Sequence, residues 1–215
     1  MIRISLIFLL GIYLFGCDSK STKVSMPYYT QADFTPKWIA GNVDTIHQVA
    51  DFSLTNQDGQ IITNADLKGK IYVTNFFFTI CPTVCPKMTN NLQRVQEAFA
   101  QDDEVMLVSH TVMPWLDSVE VLKEYALKNE IQTNKWQLLT GDKSLIYQLG
   151  RQSYFADEGF GKSVTDMDDF LHTENIVLVD GNQHIRGVYN GTLPLEMTRL
   201  IEDIQRLKLE TTESS

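Results

Sequence analysis

Cys81 and Cys85 stand four residues apart, each followed by proline, in the stretch Thr79-Ile80-Cys81-Pro82-Thr83-Val84-Cys85-Pro86. Two sulfurs at this spacing can come within reach of one another. They can close a disulfide, or present two thiolates to one soft ion such as Cu(I). An apolar run precedes the stretch and a helical pattern follows it, so the pair is predicted at the end of a strand and the start of a helix. Strand ends are where reaction sites collect in α/β sheets. The positive end of a helix favours a thiolate, which predicts lowered pKa values for cysteines there. Pro86 suits a first helical turn, where its missing N–H costs little. A permanent disulfide would staple only a tiny loop and stabilise little. Two inert core cysteines would fit poorly with the flanking prolines and the strand-end position.

An imidazole would extend the donor set, since Cu(II) accepts two thiolates plus a nitrogen. Four histidines are available. His172, in Asp169-Phe170-Leu171-His172-Thr173, stands just before a predicted strand. Taken alone, a single His in that position is more often hydrogen-bonded than ligating. His110 and Met113 are candidate transient copper contacts, with a structural role as the simpler reading. His47 precedes a hairpin and His184 falls in a predicted exposed strand; neither is assigned to a site.

The elements that must position these residues are legible from periodicity. Asp51 to Ile62 reads as a hairpin with Asp58-Gly59 in its turn. Lys70 to Phe78 is β-branched and aromatic almost throughout, as in a strand buried on both faces. Met88, Leu92, Val95 and Phe99 recur at helical spacing. Glu104 to Ser109 is a second buried strand. Asp117 with Glu120 predicts a capping box for a helix carrying Val119, Leu122 and Ala126. Lys135 to Leu139 is a short strand, and Asp142 caps a helix with Leu145, Ile146 and Leu149 inward. Arg151 to Asp169 is irregular. Asn175 to Val179 and His184 to Tyr189 form a hairpin about Asp180-Gly181. Pro194 opens a last helix with Met197, Leu200, Ile201, Ile204 and Leu207 inward. The order β-α-β-α-β-α-β-β-α, after an N-terminal hairpin, gives a central mixed sheet flanked by helices, which suits a thioredoxin-like α/β fold.

Composition narrows the function classes. The chain has 215 residues, 43% apolar and 21% charged, with a net charge of -9. That size suits one domain with a tail. The acidic balance argues against nucleic acid as the main partner, because phosphate binding needs a basic face. Three cysteines exclude a disulfide-dense scaffold. The N-terminus carries Arg3 and an apolar run from Ile4 to Phe15, shorter than the ~20 residues a membrane span needs. It reads as a secretory signal. The run ends Leu14-Phe15-Gly16-Cys17, which resembles a bacterial lipobox whose Cys17 is acylated; the alternative is an uncleaved N-terminal anchor with an incidental cysteine, and both put the domain outside the cytoplasm. The expected organisation is therefore a signal over residues 1–17, a tether and extended segment over 18–48, a domain over 49–210, and a polar tail over 211–215. That places the domain on the extracytoplasmic, periplasmic side, anchored to the membrane by lipid.

The stretch FFFTICPTVCPKMTNNL resembles the Sco/SenC family, whose mark is Cys-Pro-x-x-Cys-Pro after a strand. The family's second mark, an Asp-x-x-His-[Ser/Thr] segment before a strand ending in Asp, is matched by Asp169 to Thr173 and Asn175 to Asp180. The resemblance runs from about Val49 to Leu207. Where many members carry Asp-Pro, this chain has Met113-Pro114. The resemblance implies that Cys81, Cys85 and His172 are copper ligands for both Cu(I) and Cu(II). It implies a metallochaperone for the binuclear copper centre of cytochrome c oxidase, with subunit II as client. Other copper chaperones or a thiol reductant are candidate further partners.

Three other readings stay open on the residues. A thiol–disulfide oxidoreductase would use Cys81 and Cys85 as its redox-active dithiol. Against a general one, the spacing is not the thioredoxin Cys-x-x-Cys. No proline between Pro114 and Pro194 could serve as the cis-proline that thioredoxins set opposite their dithiol. A thiol peroxidase would use Thr79 and Cys81, but the second cysteine and His172 fit it less well. A copper or redox sensor is the fourth.

Overall fold

A computed structural model describes residues 25–156 and 173–213. The segment with Cys17 and the Asp169 to His172 motif lie outside the described residues. Among the described residues, seven strands and five α-helices follow one another as β1 (Ser53–Asn56), β2 (Ile61–Thr63), α1 (Asn64–Leu67), β3 (Ile71–Phe77), α2 (Val84–Ala98), β4 (Val105–Thr111), α3 (Val119–Lys128), β5 (Trp136–Thr140), α4 (Lys143–Gln148), β6 (Asn175–Val179), β7 (Ile185–Asn190) and α5 (Pro194–Glu213). One π-helical turn, Leu149–Ser153, continues α4.

The strands form one mixed sheet in the order β2-β1-β5-β4-β3-β6-β7. β3 lies between β4, which it pairs in parallel, and β6, which it pairs antiparallel. Every residue of β3 and β4 is buried. That accounts for their unbroken apolar pattern, since strands covered on both faces need no alternation. Two cores result. Ile71, Val73 and Phe77 of β3 pack with Met88, Leu92 and Val95 of α2 and Leu200 and Ile204 of α5. Tyr72 and Phe76 face the other way, with Leu67, Ile146 and Leu149. Each such large apolar side chain contributes about 1.5–3 kcal/mol on burial. This is the expected thioredoxin-like sheet with helices on both faces.

Turn chemistry sets the edges. In the β1–β2 hairpin the Asn56 side-chain oxygen accepts from the N–H groups of Asp58 and Gln60, and Gly59 takes φ +76°, open to glycine without strain. The extended segment before the domain is held at the opposite edge. Tyr29 N–H donates to Ile185 O at 2.9 Å, and Tyr28 pairs with Lys37.

Three expectations are corrected. The N-cap of α3 is Ser118, whose hydroxyl accepts from Val121 N–H, not Asp117. Both residue types cap helices well, but Asp117 is wholly buried and bonded elsewhere. His184 is also buried, not exposed, because Tyr28 of the N-terminal segment covers it edge-on, ring centroids 5.5 Å apart. Leu145 is only half-buried, unlike Ile146 and Leu149. Among the described residues, no helix is long and apolar enough to cross a membrane.

Candidate metal centre

β3 ends at Phe77, and Phe78 to Thr83 turn the chain into α2. Cys81 lies in that turn, with its N–H to Phe78 O at 3.3 Å. Cys85 is the second residue of α2 and Pro86 the third, inside the first turn where an absent N–H leaves no internal bond unmade. Both cysteines are buried in the core cluster on the α2 face, and both are free thiols. The spacing thus brings the two sulfurs together at a strand–helix junction. Cys85 N–H points at Cys81 Sγ across 3.4 Å.

The two thiols differ electrostatically. Burial by itself raises Cys81. The backbone N–H groups of Cys85, Thr83 and Val84, with the Cys85 thiol, outweigh it and leave Cys81 below the ordinary thiol value. These are the free N–H groups of a helix start. Cys85 sits deeper, and burial pushes its thiol up to about 12. Its hydrogen bond to the Cys81 sulfur and the charge there add to that rise. The expectation of two lowered thiols therefore holds for Cys81 and fails for Cys85, where loss of solvent outweighs the helix.

The flank of the pair is built by residues that the sequence did not single out for this role. Asp117 is fully buried beside the turn. Its Oδ1 accepts from the Thr79 hydroxyl at 2.5 Å, and its Oδ2 from Thr79 N–H at 3.2 Å and from the Thr111 hydroxyl. Tyr125 of α3 packs against Phe77, ring centroids 5.4 Å apart, and its hydroxyl pairs with Thr89 at 2.8 Å. Burial raises the Tyr125 phenol, and Cys85, Cys81 and Asp117 are among the groups whose charge adds to it. Ile80 and Trp115 are more than half exposed. The one signal available for Asp117 was the adjacent Ser118, an equally good cap that freed the carboxylate for other work.

The other sequence candidates separate. His110 lies on the opposite face of the sheet from the cysteines. Its ring stacks on Phe76 at 5.2 Å and meets Phe52 and Tyr154 edge-on or tilted. Neither of its ring nitrogens has a partner among the described residues, and burial depresses its pKa to about 3. Met113 packs against that same cluster. The structure does not bring either to the thiols. His47 hydrogen-bonds Ser153 O at 2.8 Å.

Among the described residues no third His, Cys, Asp or Glu joins the pair in a metal-binding group. The head of β6 nevertheless lies at the same end of the sheet. β6 runs antiparallel to β3, with Val177 opposite Thr74, so Asn175 lies toward Phe76, where β3 leaves the sheet. Thr173, buried, accepts from Asn175 N–H at 3.1 Å.

The profile of the SCO1/SenC family matches residues 41–208. The solved structures similar to this chain include the following. A SCO1/SenC family lipoprotein from Bacillus anthracis is 32% identical with TM-score 0.65, covering 75% of this chain and 95% of that one. BsSco, described as a member of the Sco family of cytochrome c oxidase assembly proteins with a disulfide switch, is 27% identical with TM-score 0.63, over 78% and 95%. Bradyrhizobium japonicum ScoI with copper bound is 27% identical with TM-score 0.58, over 74% and 99%.

Proposed function

Since the chain belongs to the SCO1/SenC family, we propose that it is a copper metallochaperone that carries the ion to the binuclear copper centre of cytochrome c oxidase, with subunit II as client. The observation that carries this reading is the Cys81/Cys85 pair, two neighbouring free sulfurs at a strand–helix junction. Copper is cargo here. Cu(I) takes the two soft thiolates, and Cu(II) takes them with the imidazole of His172. One site that accepts both states can load and release the ion across a redox change. The start of β6 at the cysteine end of the sheet supports His172 as the third ligand. The related structure with copper bound and the relative named for oxidase assembly support the cargo and the client.

In this reading Cys17 carries lipid, residues 18–48 tether and dock the domain, and the protein works on the periplasmic side of a membrane. The related lipoprotein supports that arrangement. The experiment is an anaerobic copper titration of the reduced protein (residues 18–215) against a competing chelator, with His172→Ala beside it. Tight one-to-one binding is expected, weakened in the variant for Cu(II) more than for Cu(I). Absence of competitive binding in the unaltered protein overturns the reading.

A second reading is a thiol–disulfide oxidoreductase that acts on a client's cysteines. It is favoured by the asymmetry of the pair, a lowered Cys81 beside a raised Cys85, which is the arrangement of an attacking thiol and a resolving one.

A further inference from the structure

We propose that Asp117 is a positioning residue for the Cys81–Cys85 pair, acting through Thr79. The inference rests on the reading that the two cysteines work as a pair, whether on copper or on a disulfide.

Cys85 is fixed by α2. Cys81 is not in a regular element, and its place depends on the turn from Phe78 to Thr83. One backbone bond inside that turn, Cys81 N–H to Phe78 O, is long at 3.3 Å. The firmer anchor lies two residues before the cysteine. Asp117 takes both the amide and the hydroxyl of Thr79, one on each carboxylate oxygen, and takes the Thr111 hydroxyl as well. Thr111 in turn belongs to β4 and accepts from Met113 N–H at 3.0 Å. The turn carrying Cys81 is thereby tied to the neighbouring strand, which is parallel to β3 and ends at the same edge. Cutting the tie frees several backbone torsions between Phe77 and α2, each of which must be ordered again for the two sulfurs to meet.

Both oxygens of Asp117 act as acceptors. Alanine removes both. Asparagine keeps one acceptor for Thr79 N–H, and its NH2 can donate to the Thr79 hydroxyl, which rotates to accept. The loss should therefore rank alanine well above asparagine. Thr79→Val keeps the backbone bond and removes the hydroxyl, so its effect should be intermediate.

The measurement is the equilibrium of the full-length chain with glutathione: two protein thiols and one oxidised glutathione give one protein disulfide and two reduced glutathiones. Peptide mapping reads the Cys81–Cys85 disulfide separately from Cys17. The equilibrium constant reports how well each sulfur is held for the other. Asp117→Ala should lower it by about tenfold, Thr79→Val by about threefold, and Asp117→Asn by less than Thr79→Val. Arg186→Ala, a destabilising change at the far β7 edge, should leave it unmoved in the folded protein. An unchanged constant in Asp117→Ala and Thr79→Val overturns the proposal, as does an equal fall in Arg186→Ala. Should Asp117→Ala fail to fold, Thr79→Val alone decides. Copper takes no part, so a failed copper titration with a normal disulfide equilibrium would overturn the metallochaperone reading and leave this one standing.

Discussion

The backbone N–H of Cys85 lies 3.4 Å from the sulfur of Cys81, so the first turn of α2 solvates one cysteine with the amide of the other. The relationship is one-way. Cys81 gains the free amides of the helix start, while Cys85 is carried into the apolar core behind them. A pair that looks symmetric in Cys-Pro-x-x-Cys-Pro is therefore chemically polarised.

Alkylation should expose that polarity. At pH 7 iodoacetamide should label Cys81 in the reduced protein at least about a hundredfold faster than Cys85, because the thiolate is the reacting form. Peptide mass spectrometry over a time course checks it. Faster labelling of Cys85 would contradict the assignment.

Copper oxidation states should separate the ligands. His172→Ala is expected to weaken Cu(II) more than Cu(I), because two thiolates alone satisfy Cu(I) in near-linear geometry. Oxidation to the Cys81–Cys85 disulfide should abolish Cu(I) binding, since both donors are consumed. Competition titrations in each state test both statements. Equal losses of Cu(I) and Cu(II) in His172→Ala, or tight copper in the oxidised protein, would count against them.

His110 should make folding stability depend on pH. Its ring faces Phe52, Phe76 and Tyr154, and burial holds its pKa near 3, against an ordinary value of 6.5. Below pH 6.5 the unfolded chain takes a proton that the folded one refuses. The stabilising difference is complete above that pH and is lost as pH falls toward 3. At pH 5 the loss from this residue should be about 2 kcal/mol. Urea unfolding at pH 7 and pH 5 should show it in the unaltered protein and not in His110→Phe. Equal slopes in the two proteins would refute it.

Arg186 should hold the N-terminal segment to the sheet. Its buried guanidinium bonds Asp180 at 3.1 Å, Glu210 at 2.8 Å and the carbonyls of Met26 and Pro27. Arg186→Ala leaves Asp180 buried without its cation and should cost about 3–5 kcal/mol. Urea denaturation measures the cost, and limited proteolysis should cut near Met26 sooner than in the unaltered chain. A loss under about 1 kcal/mol would show that the network does not bear on stability.

Much of the molecule is determined by the sequence alone. The period of Met88, Leu92 and Val95, the β-branched run before Thr79, the Asp58-Gly59 turn and the Asp142 cap each act over a few residues. Local torsion and amphipathic patterning were enough to place them, and with them the cysteines at a strand–helix junction. Tertiary structure decided what depends on distant partners. Whether Asp117 or Ser118 caps α3 turned on Thr79, 38 residues away, whose amide and hydroxyl needed a buried acceptor. His184 became buried because residues more than 130 positions earlier in the chain close over it. The divergence of Cys81 from Cys85 is likewise a matter of depth: both stand at a helix start, and only packing set which one kept the amides and which one lost the solvent.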